Sequence, residues 1–183
     1  HRIGGIIMLA ERMNTFSGSP TSALIAKVAE LRAEGKDIIS LNVGEPDFGT
    51  PDYIKCGAIK AIVDNFSKYT AGNGIIELRR LISKKLHEDN NLEYTTDEIC
   101  ATVGAKQAIF NSIMALVDPG DEVLLPVPCW VSYTEMIKFA GAKPVFVDVE
   151  AETFDLDIEA LEKAVTTKTK AIVICTPNNP TGA

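Results

Sequence analysis

The chain has 183 residues, 46% of them hydrophobic and 23% charged, which is enough apolar content to bury a core and argues against disorder. Lys and Arg number 18 against 25 Asp and Glu, and the formal charge of -7 offers no electrostatic footprint for nucleic acid. Cys56, Cys100, Cys129 and Cys175 are widely spaced without a Cys-x-x-Cys, and His1 and His87 stand apart from them, so no metal site is expected and buried thiols in a reducing compartment are expected in place of disulfides.

In chain order, the apolar stretch 4–10 is too short to span a bilayer and runs into Glu11-Arg12, so no membrane contact and a cytoplasmic location are expected. A start at Met8 would make residues 1–7 a leader remnant. Residues 14–21, rich in Ser, Thr, Gly and Pro, read as an extended arm. A helix is predicted over 22–34, with Leu24, Ile25, Val28 and Leu31 on its inner face and Gly35 as its stop. Residues 38–43 predict a short strand. The loop that follows, Gly44-Glu45-Pro46-Asp47-Phe48, leads to Thr50 as N-cap and Pro51 as first helical residue, and the helix begun there turns Ile54, Ala58 and Ile62 inward.

Residues 67–74 form a loop with Gly72 and Gly74. Glu77 stands where a dinucleotide fingerprint needs its third glycine, so that fingerprint is rejected. A helix over 75–87 follows, with Leu78, Leu81, Ile82 and Leu86 as its buried stripe. From residue 98 strands and helices alternate. Strands are predicted over 98–103, 122–126, 143–149 and 170–175, and helices over 105–117, 131–140 and 158–165. This is the βαβ rhythm of a helix-covered, mostly parallel sheet, in which ligands gather at the carboxyl ends of strands. No repeat appears, and the acidic run 148–162 reads as a solvated face.

Three of those ends carry informative residues. At Gly104-Ala105-Lys106 a strand opens into a helix, whose first amides and aligned peptide dipoles favour a phosphate or carboxylate; a plain β-to-α turn is the other account. Trp130, the only tryptophan, follows Pro126-Val127-Pro128-Cys129 and offers a flat face to a planar ring, or else serves as an ordinary core or interface tryptophan. Asn179 lies in Asn178-Asn179-Pro180-Thr181-Gly182, where its amide can donate to a phenolic or carboxylate oxygen while Pro180 stiffens the turn; these are also ordinary turn-forming residues. In the amino-terminal half, Gly44 can bring an amide to a substrate carboxylate and Tyr69 a hydroxyl to a phosphate, although for each alone loop geometry or ordinary packing is the simpler account.

Taken together, Ser40-Leu41-Asn42-Val43-Gly44-Glu45-Pro46-Asp47-Phe48, Lys68-Tyr69, Val103-Gly104-Ala105-Lys106-Gln107-Ala108, Asp118-Pro119-Gly120-Asp121-Glu122-Val123, Trp130-Val131-Ser132-Tyr133 and Asn178-Asn179-Pro180-Thr181-Gly182 resemble the class I aminotransferases, in order and spacing, from about Arg12 to Ala183. The likeness is to the bacterial aspartate aminotransferase branch of the fold-type I enzymes that use pyridoxal 5'-phosphate. It implies an α/β chain holding part of fold-type I: an N-terminal arm (1–21), a small-domain segment (22–50) and the first part of the large cofactor-binding domain (51–183). The resemblance gives Gly104, Ala105 and Lys106 the cofactor phosphate, and Trp130 the cofactor ring together with a place at the substrate. It gives Asn179 the ring's phenolic oxygen and the substrate carboxylate. Gly44 would meet the substrate carboxylate. Tyr69 would reach the phosphate of the neighbouring subunit's cofactor, which implies a homodimer.

The reaction implied is amino transfer from aspartate or an aromatic amino acid to a 2-oxo acid. Carbon–sulfur β-elimination, another fold-type I reaction or a non-catalytic binding module remain alternatives. A nucleotide-binding α/β protein is disfavoured because both dinucleotide and P-loop patterns are missing. The family's Asp for the pyridine nitrogen, its Schiff-base Lys and its carboxylate-clamping Arg residues have no counterpart within residues 1–183. The polypeptide alone is therefore expected to be inactive, and the sheet edge and apolar face exposed after its fourth predicted strand are expected to make it self-associate.

Overall fold

The computed structural model describes residues 2–3, 6–7, 9–15 and 20–183. Its elements, in chain order, are strands β1 (Arg2–Ile3) and β2 (Ile6–Ile7), a 3-10 turn (Glu11–Thr15), helices α1 (Pro20–Ala33), α2 (Asp52–Val63) and α3 (Ile76–Asn90), and a 3-10 turn (Thr96–Glu98). There follow helix α4 (Gly104–Leu116), strand β3 (Glu122–Val127), helix α5 (Ser132–Phe139), strand β4 (Lys143–Asp148), helix α6 (Ile158–Ala164) and strand β5 (Thr169–Ile172). They form two compact units, His1–Ser17 with Val103–Ala183, and Gly18–Thr102.

In the unit Gly18–Thr102, α1 opens on proline, whose missing N–H is not needed in a first turn. The extended arm expected over 14–21 is thus helical from Pro20 and part of a 3-10 turn at Asn14 and Thr15, while residues 16–19 lie outside the described residues. Helix α1 stops as expected at Gly35, where φ is +80° and the amides of Gly35 and Lys36 donate to the carbonyls of Arg32 and Leu31 at 3.0 and 3.1 Å. Pro51, expected as the first residue of α2, stands at its N-cap, and Thr50 makes no cap for it.

The inner faces expected of these helices are not enclosed: Leu24, Ile25, Ile54, Ile62, Leu78 and Leu81 are all exposed. Among the described residues of this unit only Arg79 and Ile99 are buried. Arg79 Nε donates to the Gly74 carbonyl at 3.1 Å and Nη1 to the Thr96 carbonyl at 2.7 Å, which fastens the loop before α3 to the turn after it. At Gly74 φ is +99°, and an added Cβ would come within 2.8 Å of the Ala101 side chain.

Two expected strands do not form. Residues 38–43 lie in no sheet and bend at Asn42, with Ile39 86% and Leu41 92% exposed, because no described strand runs beside them to take their hydrogen bonds. The stretch 98–103 begins inside a 3-10 turn, and its Ala101 amide bonds the Asn73 loop carbonyl at 3.0 Å instead of a strand.

The other unit carries the sheet. β3 lies between β4 and β5, parallel to both, with Glu122 opposite Lys143 on one side and Thr169 on the other. The expected parallel, helix-covered sheet is present with three strands, and its central one is buried on both faces, the pattern of a βαβ core strand. Val123, Leu125 and Ile137 are the largest fully enclosed side chains, and Ile113, Val117, Tyr133, Met136 and Ala142 complete the cluster that α4 and α5 press onto one face.

At the amino end of the sheet the Glu122 carboxylate, itself buried, accepts from Thr166 Oγ1 at 2.6 Å and from Lys143 Nζ at 3.1 Å. Those bonds hold its pKa below the ordinary carboxylate value. This leaves the carboxyl end, where the chain breaks into loops after β3 and β5, to present other chemistry.

Candidate functional site

Helix α4 starts at Gly104, where φ is +75°, a value glycine adopts at little cost. The preceding residue, Val103, supplies no side-chain cap to the helix, and its own amide is taken by Gln107 Oε1 at 2.6 Å. Gly104, Ala105 and Lys106 are exposed, and nothing stands within 4 Å of a Cβ built on Gly104. An anion can approach this positive helix end closely.

Lys106 Nζ lies 5.0 Å from the centroid of the Trp130 ring, so the α4 mouth and the loop after β3 meet. The Tyr133 ring meets the Trp130 ring edge-on, with centroids 5.3 Å apart and planes at 90°. Asn178 Nδ2 donates to the Pro128 carbonyl at 3.0 Å and to Thr181 Oγ1 at 2.9 Å, tying the loop after β5 to the loop after β3. That second loop closes on itself as the Asn178 amide donates to the Ala183 carbonyl at 2.7 Å, with Gly182 at φ +79°. Beside it a cavity of about 190 Å³ is lined by Pro128, Cys129, Tyr133, Cys175 and Asn178 among others. Burial pushes the Cys129 thiol pKa up, and burial followed by a hydrogen bond to Cys175 does the same for the Tyr133 phenol.

The residues singled out in the sequence therefore divide. Gly104, Ala105, Lys106 and Trp130 come together directly, and Asn179 sits exposed one residue beyond the Asn178 anchor. Gly44 lies in the exposed stretch of the other unit, with nothing near its Cβ position, and Tyr69 in the same unit is fully exposed at 107%. Two residues that matter here carried weaker signals. Asn178 is polar and adjacent to Asn179, but only a contact fifty positions away reveals its use; Tyr133 enters the sequence reading only as the last residue of Trp130-Val131-Ser132-Tyr133.

All four cysteines are free, as expected, but not enclosed. Cys56 and Cys100 are exposed and Cys129 and Cys175 half-buried, since the strand that was to hold Cys100 is absent. No group of His, Cys, Asp or Glu among the described residues is arranged to hold a metal ion. No helix among them is long and apolar enough to cross a membrane.

A helix mouth, an indole and a carboxamide loop thus stand together at the carboxyl end of a parallel sheet, the arrangement of a strand-end site in an α/β protein. The chain belongs to the aminotransferase class I and II family, which it matches over residues 36–183. It is 48% identical over 177 residues to the probable aspartate/prephenate aminotransferase of Rickettsia conorii, an alignment covering 96% of this chain and 44% of that protein. With the aspartate aminotransferase of Bacillus subtilis it shares 44% identity over 175 residues, covering 95% and 44%. The structure of the Thermus thermophilus aspartate aminotransferase solved with maleate superposes with a TM-score of 0.92 at 44% identity, covering 97% of this chain and 47% of that one. The fold is thus part of aminotransferase fold-type I, and the chain spans less than half the length of these relatives.

Proposed function

We propose that this polypeptide is the amino-terminal part of a pyridoxal 5'-phosphate-dependent aminotransferase that moves an amino group from aspartate or an aromatic amino acid to a 2-oxo acid. The observation that carries this reading is the meeting of Lys106 with Trp130 and of Asn178 with Pro128, which gathers the helix mouth, the indole and the Asn-Asn-Pro-Thr-Gly loop at one end of the sheet. The donor set fits the cofactor: an exposed helix start with open space at Gly104 for a phosphate, an aromatic plane for a pyridine ring, and an exposed side-chain amide for a phenolic oxygen. When bound, pyridoxal phosphate supplies the electron sink for bond breaking at the amino acid's α-carbon.

The chain's own residues bind and orient. The amides of Gly104, Ala105 and Lys106 hold the phosphate, Trp130 fixes the ring plane beside the substrate, and Asn179 donates to the ring's phenolic oxygen and lies near the substrate carboxylate. Gly44 offers its amide to that carboxylate, and Tyr69 serves the cofactor phosphate of a second subunit in a homodimer. The arm over 1–21, the small-domain segment over 22–50, the large-domain portion over 51–183 and a cytoplasmic setting belong to the same reading.

Titration of the chain with pyridoxal phosphate, followed by quenching of its single tryptophan, tests the reading. Saturable quenching is expected, with NAD producing none, and an unquenched Trp130 defeats it. Supplied with an amino acid and 2-oxoglutarate, the 183-residue polypeptide is expected to show no turnover.

A further inference from the structure

Trp130 can serve as a platform only if its plane is held, and the structure contains a support for it. The Tyr133 ring stands at 90° to the indole with centroids 5.3 Å apart, and the Tyr133 amide donates to the Trp130 carbonyl at 3.2 Å. Tyr133 is only 6% exposed and belongs to the core cluster under β3. Tyr133 and Cys175, the latter just after β5, line one cavity, and the Cys175 thiol in turn donates to the Pro177 carbonyl at 3.4 Å. One buried side chain thereby touches the platform with its ring and shares a cavity wall with the loop leading to Asn179.

We infer that Tyr133 is a positioning residue for cofactor binding, holding the Trp130 plane with its ring edge and the 175–178 loop with its hydroxyl. The inference rests on the proposed cofactor reading and extends it to a residue that touches neither cofactor nor substrate. An indole has few torsions, so an edge-on aromatic neighbour in a packed core restricts it at little entropic cost. The bond inferred between the hydroxyl and Cys175 couples that restriction to the neighbouring strand end, so platform and loop hold one spacing. Val131, next to Trp130 and exposed, gives no such support.

Three variants separate the two contacts: Y133F keeps the ring edge and loses the tether, C175A removes the tether from the other side, and Y133L removes both. Pyridoxal phosphate affinity is read by Trp130 quenching. The indole's own order is read without ligand by near-ultraviolet circular dichroism and fluorescence anisotropy, and melting temperature monitors the fold. Y133F and C175A are expected to bind about threefold more weakly and Y133L about tenfold, corresponding to the loss of one hydrogen bond and of that bond with an aromatic pair. The near-ultraviolet tryptophan band should weaken in the same order. Y133F and C175A binding as tightly as the parent chain with an unchanged tryptophan band would overturn the inference alone, as would losses that merely follow the unfolded fraction. If the parent chain itself binds no cofactor, the proposed function falls and this inference with it.

Discussion

The ammonium of Lys106 stands 5.0 Å from the centre of the Trp130 indole, joining the first turn of α4 to the loop after β3. The contact depends on the Lys106 side chain, whereas the proposed phosphate contact uses the Lys106 amide. Lys106→Met is therefore expected to lose about 0.5–1 kcal/mol in chemical denaturation, the range of an exposed cation–π pair, and to shift the tryptophan emission while phosphate contacts persist. An unmoved emission spectrum counts against the contact.

Asn178 and Asn179 are neighbours with separate tasks. Asn178→Ala removes donors to Pro128 and Thr181 and is expected to cost about 1–3 kcal/mol of stability. Asn179→Ala, at an exposed position, should change stability by less than ~0.5 kcal/mol and yet weaken pyridoxal phosphate binding. Denaturation and titration of the two variants side by side check this, and equal stability losses would collapse the distinction.

Glu122 predicts a direction for acid stability. Its folded pKa is lowered, first by the Thr166 hydroxyl and then by Lys143, so its contribution is fully present above the carboxylate's unfolded value and is lost as pH falls through the folded one. Stability of the parent chain should decline on the acid side more steeply than that of Glu122→Gln, with no difference in slope on the alkaline side. Parallel acid limbs in the two pH profiles would remove Glu122 from the account.

Glycine at two positions should respond in opposite senses. Gly74→Ala places a methyl 2.8 Å from the Ala101 side chain at a φ of +99°, and a loss of about 1–3 kcal/mol is expected in urea unfolding. Gly57→Ala lies inside α2, with open space around its Cβ, and should gain about 0.5–1 kcal/mol. A stabilised Gly74→Ala is the result that fails.

Helix α2 has no buried residue, and Tyr53, Ile59, Ile62 and Val63 all reach solvent. Apolar surface of that density is expected to bring copies together. Small-angle scattering should report a particle larger than one chain, and a monodisperse monomer at high concentration would contradict it.

Much of this chain can be read from local chemistry. Glycine at a left-handed helix stop or start announces Gly35 and Gly104, because L side chains are strained there. The apolar run 123–127 and the periodicity after it announce β3 and α5, because a strand covered on both faces and a helix covered on one leave different spacings. Tertiary partners decided the rest. Residues 38–43 and 98–103 have strand-like composition but complete no sheet, since a strand forms only when a neighbour takes its backbone hydrogen bonds. Lys106 over Trp130, Asn178 against Pro128 and Tyr133 beside Cys175 join residues from separate elements. Spacing along the chain cannot encode such pairs, because their distance is set by how β3, β5, α4 and α5 pack. Sequence by itself thus determined which residue types stand at the strand ends, and folding alone decided which of them touch.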